Sequence, residues 1–332
     1  AQRSYPQTCP SVGSMSRPAV EPHSRPSGSV AQFPMRVGFG FCSPSPVTGL
    51  AAMAGLASAG GGSEFQINTY TASSQNHPSV TALSDGGFVV TWQSNGQDGG
   101  QKGVFGQRYD ASGAPAGNEF QVNSYTANDQ FNPSIAALSD GGFVVTWHSS
   151  GQDGDSLGIF GQRYDATGAS IGSEFQINTF TSGPQYYPSV APLSNGGFVV
   201  TWQSYGQTGS GHQVFGQRYD ASGASVGSEF QVNPHISNNQ HEASVAALSD
   251  GGFVVTWSST EDGTDEGVFG QRYDATGASV GSEFQINTYT SNSQYASSVA
   301  VLSDGGFVVT WLSLFQDGNN SGIFGQRYDA TG

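Results

Sequence analysis

Carboxylates recur at fixed places along the chain. Asp85, Asp140, Asp250 and Asp304 sit in LSDGG strings, with Asn195 in the third copy, and Asp98, Asp153, Asp262 and Asp317 follow in a second turn, where the third copy has Thr208. Calcium needs several oxygen ligands that converge. Asp153 with Asp155, and Asp262 with Asp265, come nearest to such a set, but no copy spells D-x-[DN]-x-[DN]-G and the third lacks both carboxylates. Turn formation is therefore the expected role, and no cofactor is expected. The six histidines, His23, His77, His148, His212, His235 and His241, occupy mutually non-equivalent places, so no repeated metal or triad arrangement emerges. Glu242 is a single acid near strands of Ser, Val, Ala and Leu, whereas a glycosidase ordinarily uses two. The residues thus predict a protein that is not an enzyme.

Aromatic rings in the connecting segments offer a different chemistry. Tyr70, Tyr125, Phe180, Tyr186, Tyr187, Tyr205, Tyr289 and Tyr295 are candidates for stacking against sugars. Arg108, Arg163, Arg218, Arg272 and Arg327 lie in FGQRYDA strings, and Glu119, Glu174, Glu229, Glu283 and Glu64 occupy the strand beside them. A cross-strand Arg–Glu pair is the plain expectation.

These residues are placed by a repeat. Trp92, Trp147, Trp202, Trp257 and Trp311 lie 55, 55, 55 and 54 residues apart, each inside GGFVVTW. Each unit reads as four short strands, at 79–83, 87–92, 103–110 and 119–123 in the first copy, parted by turn-rich segments. The LSDGG turn supplies Asp and two glycines suited to φ > 0 in a hairpin. The second strand is apolar on both faces, as a strand packed between two sheets must be. Four-stranded units buried by their neighbours describe a β-propeller, and the first strand's small residues suit crowding near an axis. A solenoid would need polar capping repeats, and none is visible. The array begins with a lone fourth strand and stops after a third, so pairing of residues 64–68 with the last blade is expected to close a five-bladed ring. The same pairing between copies is the alternative.

Residues 1–62 differ from the repeats. The 332-residue chain carries a net charge of −15, but residues 1–60 are +3 and residues 61–332 are −18. An acidic body disfavours nucleic-acid and anionic-membrane partners, and there is no apolar run long enough to span a bilayer. The first 60 residues hold 8 of the 15 prolines and both cysteines, Cys9 and Cys42. Such a composition does not bury a core, so 1–62 reads as an arm or leader. Met35-Arg36, LAAMAGL and Ala57-Ser58-Ala59 resemble a secretory signal; a flexible linker is the other reading.

Two segments per repeat vary: the second-to-third turn, and the interblade links TYTASSQNH, SYTANDQFN, TFTSGPQYY, PHISNNQHE and TYTSNSQYA. In a meander both fall on one face, which suits ligand binding, although neutral drift of exposed turns gives the same pattern. The strings GGFVVTW, GQRYDASG and EFQVN resemble tandem repeats of large secreted bacterial proteins of haemolysin-type or adhesin-like description; the architecture is similar to that of tachylectin-like lectins. The resemblance implies a secreted or surface protein. The expected function is a non-catalytic interaction or adhesion module that binds glycans or a cell-surface ligand, with a structural subunit joined to copies of itself as the alternative.

Overall fold

A computed structural model describes residues 63–332 apart from 210, 234–238 and 263–264; the expected arm at 1–62, with its cysteines, lies outside the described residues. The first blade contains β1 (Gln75–Ala82), β2 (Phe88–Asn95), β3 (Lys102–Tyr109) and β4 (Phe120–Gln121). The second contains β5 (Gln130–Ala137), β6 (Phe143–Ser150), β7 (Leu157–Tyr164) and β8 (Ser170–Gln176). The third contains β9 (Gln185–Pro192), β10 (Phe198–Tyr205), β11 (His212–Tyr219) and β12 (Ser225–Gln231). The fourth contains β13 (Gln240–Ala247), β14 (Phe253–Ser259), β15 (Gly267–Tyr273) and β16 (Ser279–Gln285), and the fifth β17 (Gln294–Val301), β18 (Phe307–Leu314) and β19 (Ser321–Tyr328). Each blade is an antiparallel meander in chain order. The expected five-bladed all-β propeller is the observed fold.

The second strands behave as their two apolar faces require. Val144 and Ile159 of the second blade pack with Val190, Phe198, Val200 and Trp202 of the third, while Val145 and Trp147 turn to the first blade and meet Leu83, Val89 and Val104. Burying one such side chain contributes roughly 1.5–3 kcal/mol. Small residues on the first strands also bond between blades: Ser134, Ser189 and Ser244 Oγ accept the N–H groups of Val190, Val245 and Val299 at 3.3, 3.2 and 3.3 Å. The ring thus has a hydrogen-bonded inner seam as well as an apolar filling.

Two turn-level expectations need correction. Only the first LSDGG glycine is left-handed, with φ between 85° and 91° across the five copies (Gly86, Gly141, Gly196, Gly251 and Gly305). The second is required by space, because a Cβ on Gly197 would fall inside the Tyr219 carbonyl oxygen, and the same holds at Gly87, Gly142, Gly252 and Gly306. The expected Arg–Glu pair is not formed either. Arg108 donates to the carbonyls of Ala166 (2.8 Å) and Thr167 in the next blade and lies 3.7 Å from Asp85. Glu119 instead accepts Thr69 N–H (2.7 Å) and the Gln97 amide. Arginine's planar fork matches two adjacent backbone carbonyls, and these lie nearly sixty residues further along the chain, where no side chain announces them.

Arg163 repeats this clamp on Ala221 and Ser222, and Arg272 on Ala330 and Thr331. Arg327 meets only Asp304 among the described residues and is exposed. Arg163→Ala is therefore expected to destabilise by about 2–3 kcal/mol, since it removes two charge-assisted hydrogen bonds between blades together with the packing of a buried stem. Arg327→Ala should cost about 0.5 kcal/mol or less. Urea unfolding of the two variants side by side checks the contrast, and equal losses would refute the clamp.

The seam between the fifth and first blades also departs from expectation. Residues 64–68 are not paired with β19, and the fifth sheet has three strands. Phe65 and Ile67 do take a fourth strand's place against the first blade: Phe65 is edge-on to Tyr109 at 5.5 Å and Tyr109 Oη donates to the Ile67 carbonyl at 3.3 Å, as Phe120 and Val122 meet Tyr164 one repeat later. A phenyl ring covers Gly106, Gly161, Gly216 and Gly270 but not Gly325. Exposure follows: Val80 is 64% exposed where its equivalent Ile135 is 7%, and Ile323 is 75% exposed where Ile159 is fully buried.

Candidate functional site: the funnel at the ring axis

At one end of the axis the five first strands carry the same irregularity. The register with the second strand slips between Asn76 and Ser79, Phe131 and Ser134, His241 and Ser244, and Tyr295 and Ser298, with the matching slip in the third blade opposite Thr201–Gln203. One residue of each bulge is left-handed: His77 (φ 52°), Asn132 (52°), Tyr187 (51°), Glu242 (56°) and Ala296 (56°). This conformation costs a non-glycine residue of order 1–3 kcal/mol, so five in equivalent places indicate an imposed geometry. All five residues line one open depression of about 440 Å³. The depression at the other end, about 480 Å³, is lined by small and apolar residues such as Ala82, Ala136, Val190 and Ala246.

The bulges are held by the preceding blade. Asn132 N–H donates to Gln93 Oε1 at 3.1 Å, Tyr187 N–H to His148 Nδ1 at 3.1 Å, and Ala296 N–H to Glu242 Oε2 at 3.0 Å. His148 is fully buried, and burial, with the charges of His77 and Lys102 adding to it, pulls its imidazole down to about 3. It is neutral at physiological pH. Because Nδ1 accepts, the proton sits on Nε2, which has no hydrogen-bond partner among the described residues. Burial, and then Lys102, also lowers His77, which leaves it unprotonated and able to accept a proton. At the fourth blade, burial alone would lower His241, but its 3.0 Å hydrogen bond to Glu266 and the charges of Glu266 and Glu242 outweigh that and raise it.

The sequence candidates divide. Tyr187 lines the funnel. Tyr186 lies beside it, with ring centroids 6.0 Å apart, and Tyr205 stacks obliquely on His212 at 5.0 Å. Tyr70, Tyr125, Phe180 and Tyr289 sit elsewhere. Each gives its backbone carbonyl to an Asn two residues earlier (Asn68, Asn123, Asn178 and Asn287) in links of the same form, and all four are half-buried. Tyr295 is half-buried beside the fifth bulge. Asp153 accepts Asn178 Nδ2 at 3.3 Å and Asp155 accepts Gly183 N–H at 2.9 Å, so both carboxylates already serve turns. The Asp262 side chain lies outside the described residues, and no cluster of three or more metal-ligating side chains occurs among those described.

Five near-copies nevertheless bring five different residues together here. His77, Asn132, Tyr187, Glu242 and Ala296 are the last residues of the five interblade links, one column in which every copy differs. Sequence reading passed over Asn132 and Ala296, set His77 aside as one of six non-equivalent histidines, and set Glu242 aside as a lone acid. The available signal was that column's diversity between a constant Gln two residues before it and a constant Ser two residues after it.

The fold and this mouth define a five-bladed β-propeller with a differentiated axial funnel. No protein-family model matches the chain, and no curated protein matches it. Solved structures share the fold. A protein of unknown function from Dyadobacter fermentans aligns with a TM-score of 0.56 at 12% identity over 77% of this chain and 79% of its own. An ulvan lyase, described as a new family of polysaccharide lyase, gives 0.54 at 9% over 77% and 68%. A Hadza microbial sialidase gives 0.51 at 13% over 76% and 56%. These likenesses establish the fold. The propellers that share it include a polysaccharide lyase and a sialidase, which runs against the expectations of a non-catalytic adhesion module or structural subunit and of a protein that is not an enzyme. No helix among the described residues is long and apolar enough to cross a membrane.

Proposed function

We propose that the axial funnel binds and cleaves a neutral glycan chain. The observation that carries this reading is the set of five bulges with one backbone conformation and five different side chains at a shared mouth. An enzyme site needs unlike groups around one reacting centre, and a scaffold of copies supplies unlike groups only where the copies diverge. Glu242 is the sole carboxylate among the residues that line the funnel. Its Oε2 is fixed by the Ala296 N–H, which positions the carboxyl to give a proton to the departing glycosidic oxygen; the elements of water complete the products, hydroxyl on the anomeric carbon and proton back to the carboxylate. Tyr187, on the neighbouring blade, supplies the second polar group. A phenol in place of a second carboxylate is a known departure from the two-acid pattern. The −18 charge of the repeats disfavours polyanionic substrates, hence a neutral chain. A secreted or surface location goes with this reading, from the resemblance of the repeats to those of secreted bacterial proteins.

Reducing ends released from neutral polysaccharides give the assay. Glu242→Gln is expected to lower kcat by about 10²–10⁴-fold with the unfolding midpoint retained, and Tyr187→Phe to lower it strongly as well. Hydrolysis that survives Glu242→Gln would remove this carboxyl, and with it the proposed chemistry.

A further inference from the structure

The third blade carries a row of rings that the other blades lack. Tyr187 stands at the funnel mouth, Tyr186 follows at 6.0 Å between centroids, His212 lies 5.8 Å from Tyr186, and Tyr205 lies 5.0 Å from His212. The first and last rings are open, since Tyr187 and Tyr205 are each 46% exposed, while Tyr186 and His212 are half-buried between them. His212 is braced by the Gln203 side chain at 2.7 Å and by its own N–H bond to Asn239 Oδ1 at 3.0 Å. The ring contact of Tyr186 and Tyr187 is near-parallel, with 29° between planes. At the places of Tyr205 and His212 the first blade has Asn95 and Lys102 and the second has Ser150 and Leu157, so the row is a departure from the repeat and not a requirement of it.

Core packing does not explain the row, because its two ends face solvent. Exposed aromatic rings held on paired strands, as Tyr205 and His212 are, bind at little conformational cost, and they suit ligands with flat apolar faces and polar edges. The pyranose ring is such a ligand. A series of rings, each about one sugar from the next, matches a chain and not a single sugar.

We propose that Tyr187, Tyr186, His212 and Tyr205 form a stacking track that carries a neutral glycan chain out of the funnel across the tip of the third blade. The substrate class is thus an extended oligo- or polysaccharide that occupies several subsites along one exit. This rests on the funnel being the cleavage site, yet it has its own consequences for chain length.

The test uses the full chain and β-linked gluco- and xylo-oligosaccharides from disaccharide to hexasaccharide. For Tyr205→Ala the KM ratio to wild type is expected to climb with chain length, to about ten-fold for the hexasaccharide, and Tyr205→Phe should restore wild-type values. A ratio that is flat across the series, or no effect at all, would overturn the track. If none of these chains is cleaved, calorimetric binding to Glu242→Gln protein separates the two ideas. Hexasaccharide binding weakened by Tyr205→Ala supports the track without the chemistry, and absence of binding overturns the track as well.

Discussion

Acidified from neutral pH to near 4, the protein is expected to lose about 3 kcal/mol of stability through a single side chain, His148. Its imidazole titrates at about 3 in the folded protein against 6.5 in the unfolded chain. Between those values the unfolded state binds the extra proton, so stability is full above pH 6.5 and falls as pH drops through that window. The folded ring resists the proton because it is buried and faces the charges of His77 and Lys102, and its Nδ1 is already the acceptor for Tyr187 N–H. His148→Gln supplies the matched control, because Gln93 fills the equivalent place one blade earlier and accepts Asn132 N–H in the same manner. Urea midpoints of wild type and His148→Gln at pH 7 and pH 4 should converge at the higher pH and separate at the lower. Parallel losses in both would show that the acid sensitivity lies elsewhere.

Gly197→Ala is expected to cost about 3 kcal/mol or more, beyond ordinary overpacking, because the added methyl meets a backbone carbonyl that cannot rotate away. Gly196→Asn, next door, should cost only about 1 kcal/mol. Its φ of 87° is left-handed, and asparagine tolerates that region better than other side chains. The order is informative. A turn governed by conformational freedom alone would make Gly196 the more sensitive site, so thermal unfolding that ranks the two variants the other way would refute the close-approach account.

The same pair of glycines shows what could be read from sequence. The hairpin itself was legible, since a short polar turn former followed by two glycines leaves few alternatives, whether that residue is Asp, as at Asp140, or Asn, as at Asn195. The strands were legible too, because GFVVTW places Trp202 and Val200 on one face and Val199 on the other, and each finds a neighbouring sheet. What escaped was whatever depends on backbone atoms of another blade. Arg163 reaches the Ala221 carbonyl, and a carbonyl has no letter in the sequence. Glu174 was the visible partner in charge, yet it bonds Ser124 N–H at 2.6 Å. The funnel escaped for a different reason. His77, Asn132 and Tyr187 look like drift in a link, and only the shared left-handed bulge shows that the five positions face one space. Closure through residues 64–68 is half realised: Phe65 and Ile67 make on Tyr109 the contacts that Phe120 and Val122 make on Tyr164, but the ladder to β19 is not formed.

The bulge at the mouth has a consequence for how such a chain diversifies. Its backbone N–H is held from the preceding blade by groups that differ between copies, Gln93, His148 and Glu242, so the bulge persists while the side chain it presents changes. Ala296 illustrates an idle socket, a place where the backbone is prepared and no reactive group is mounted. Duplication can therefore multiply the frame while single substitutions retool the rim, and new specificities become reachable without passing through unfolded intermediates.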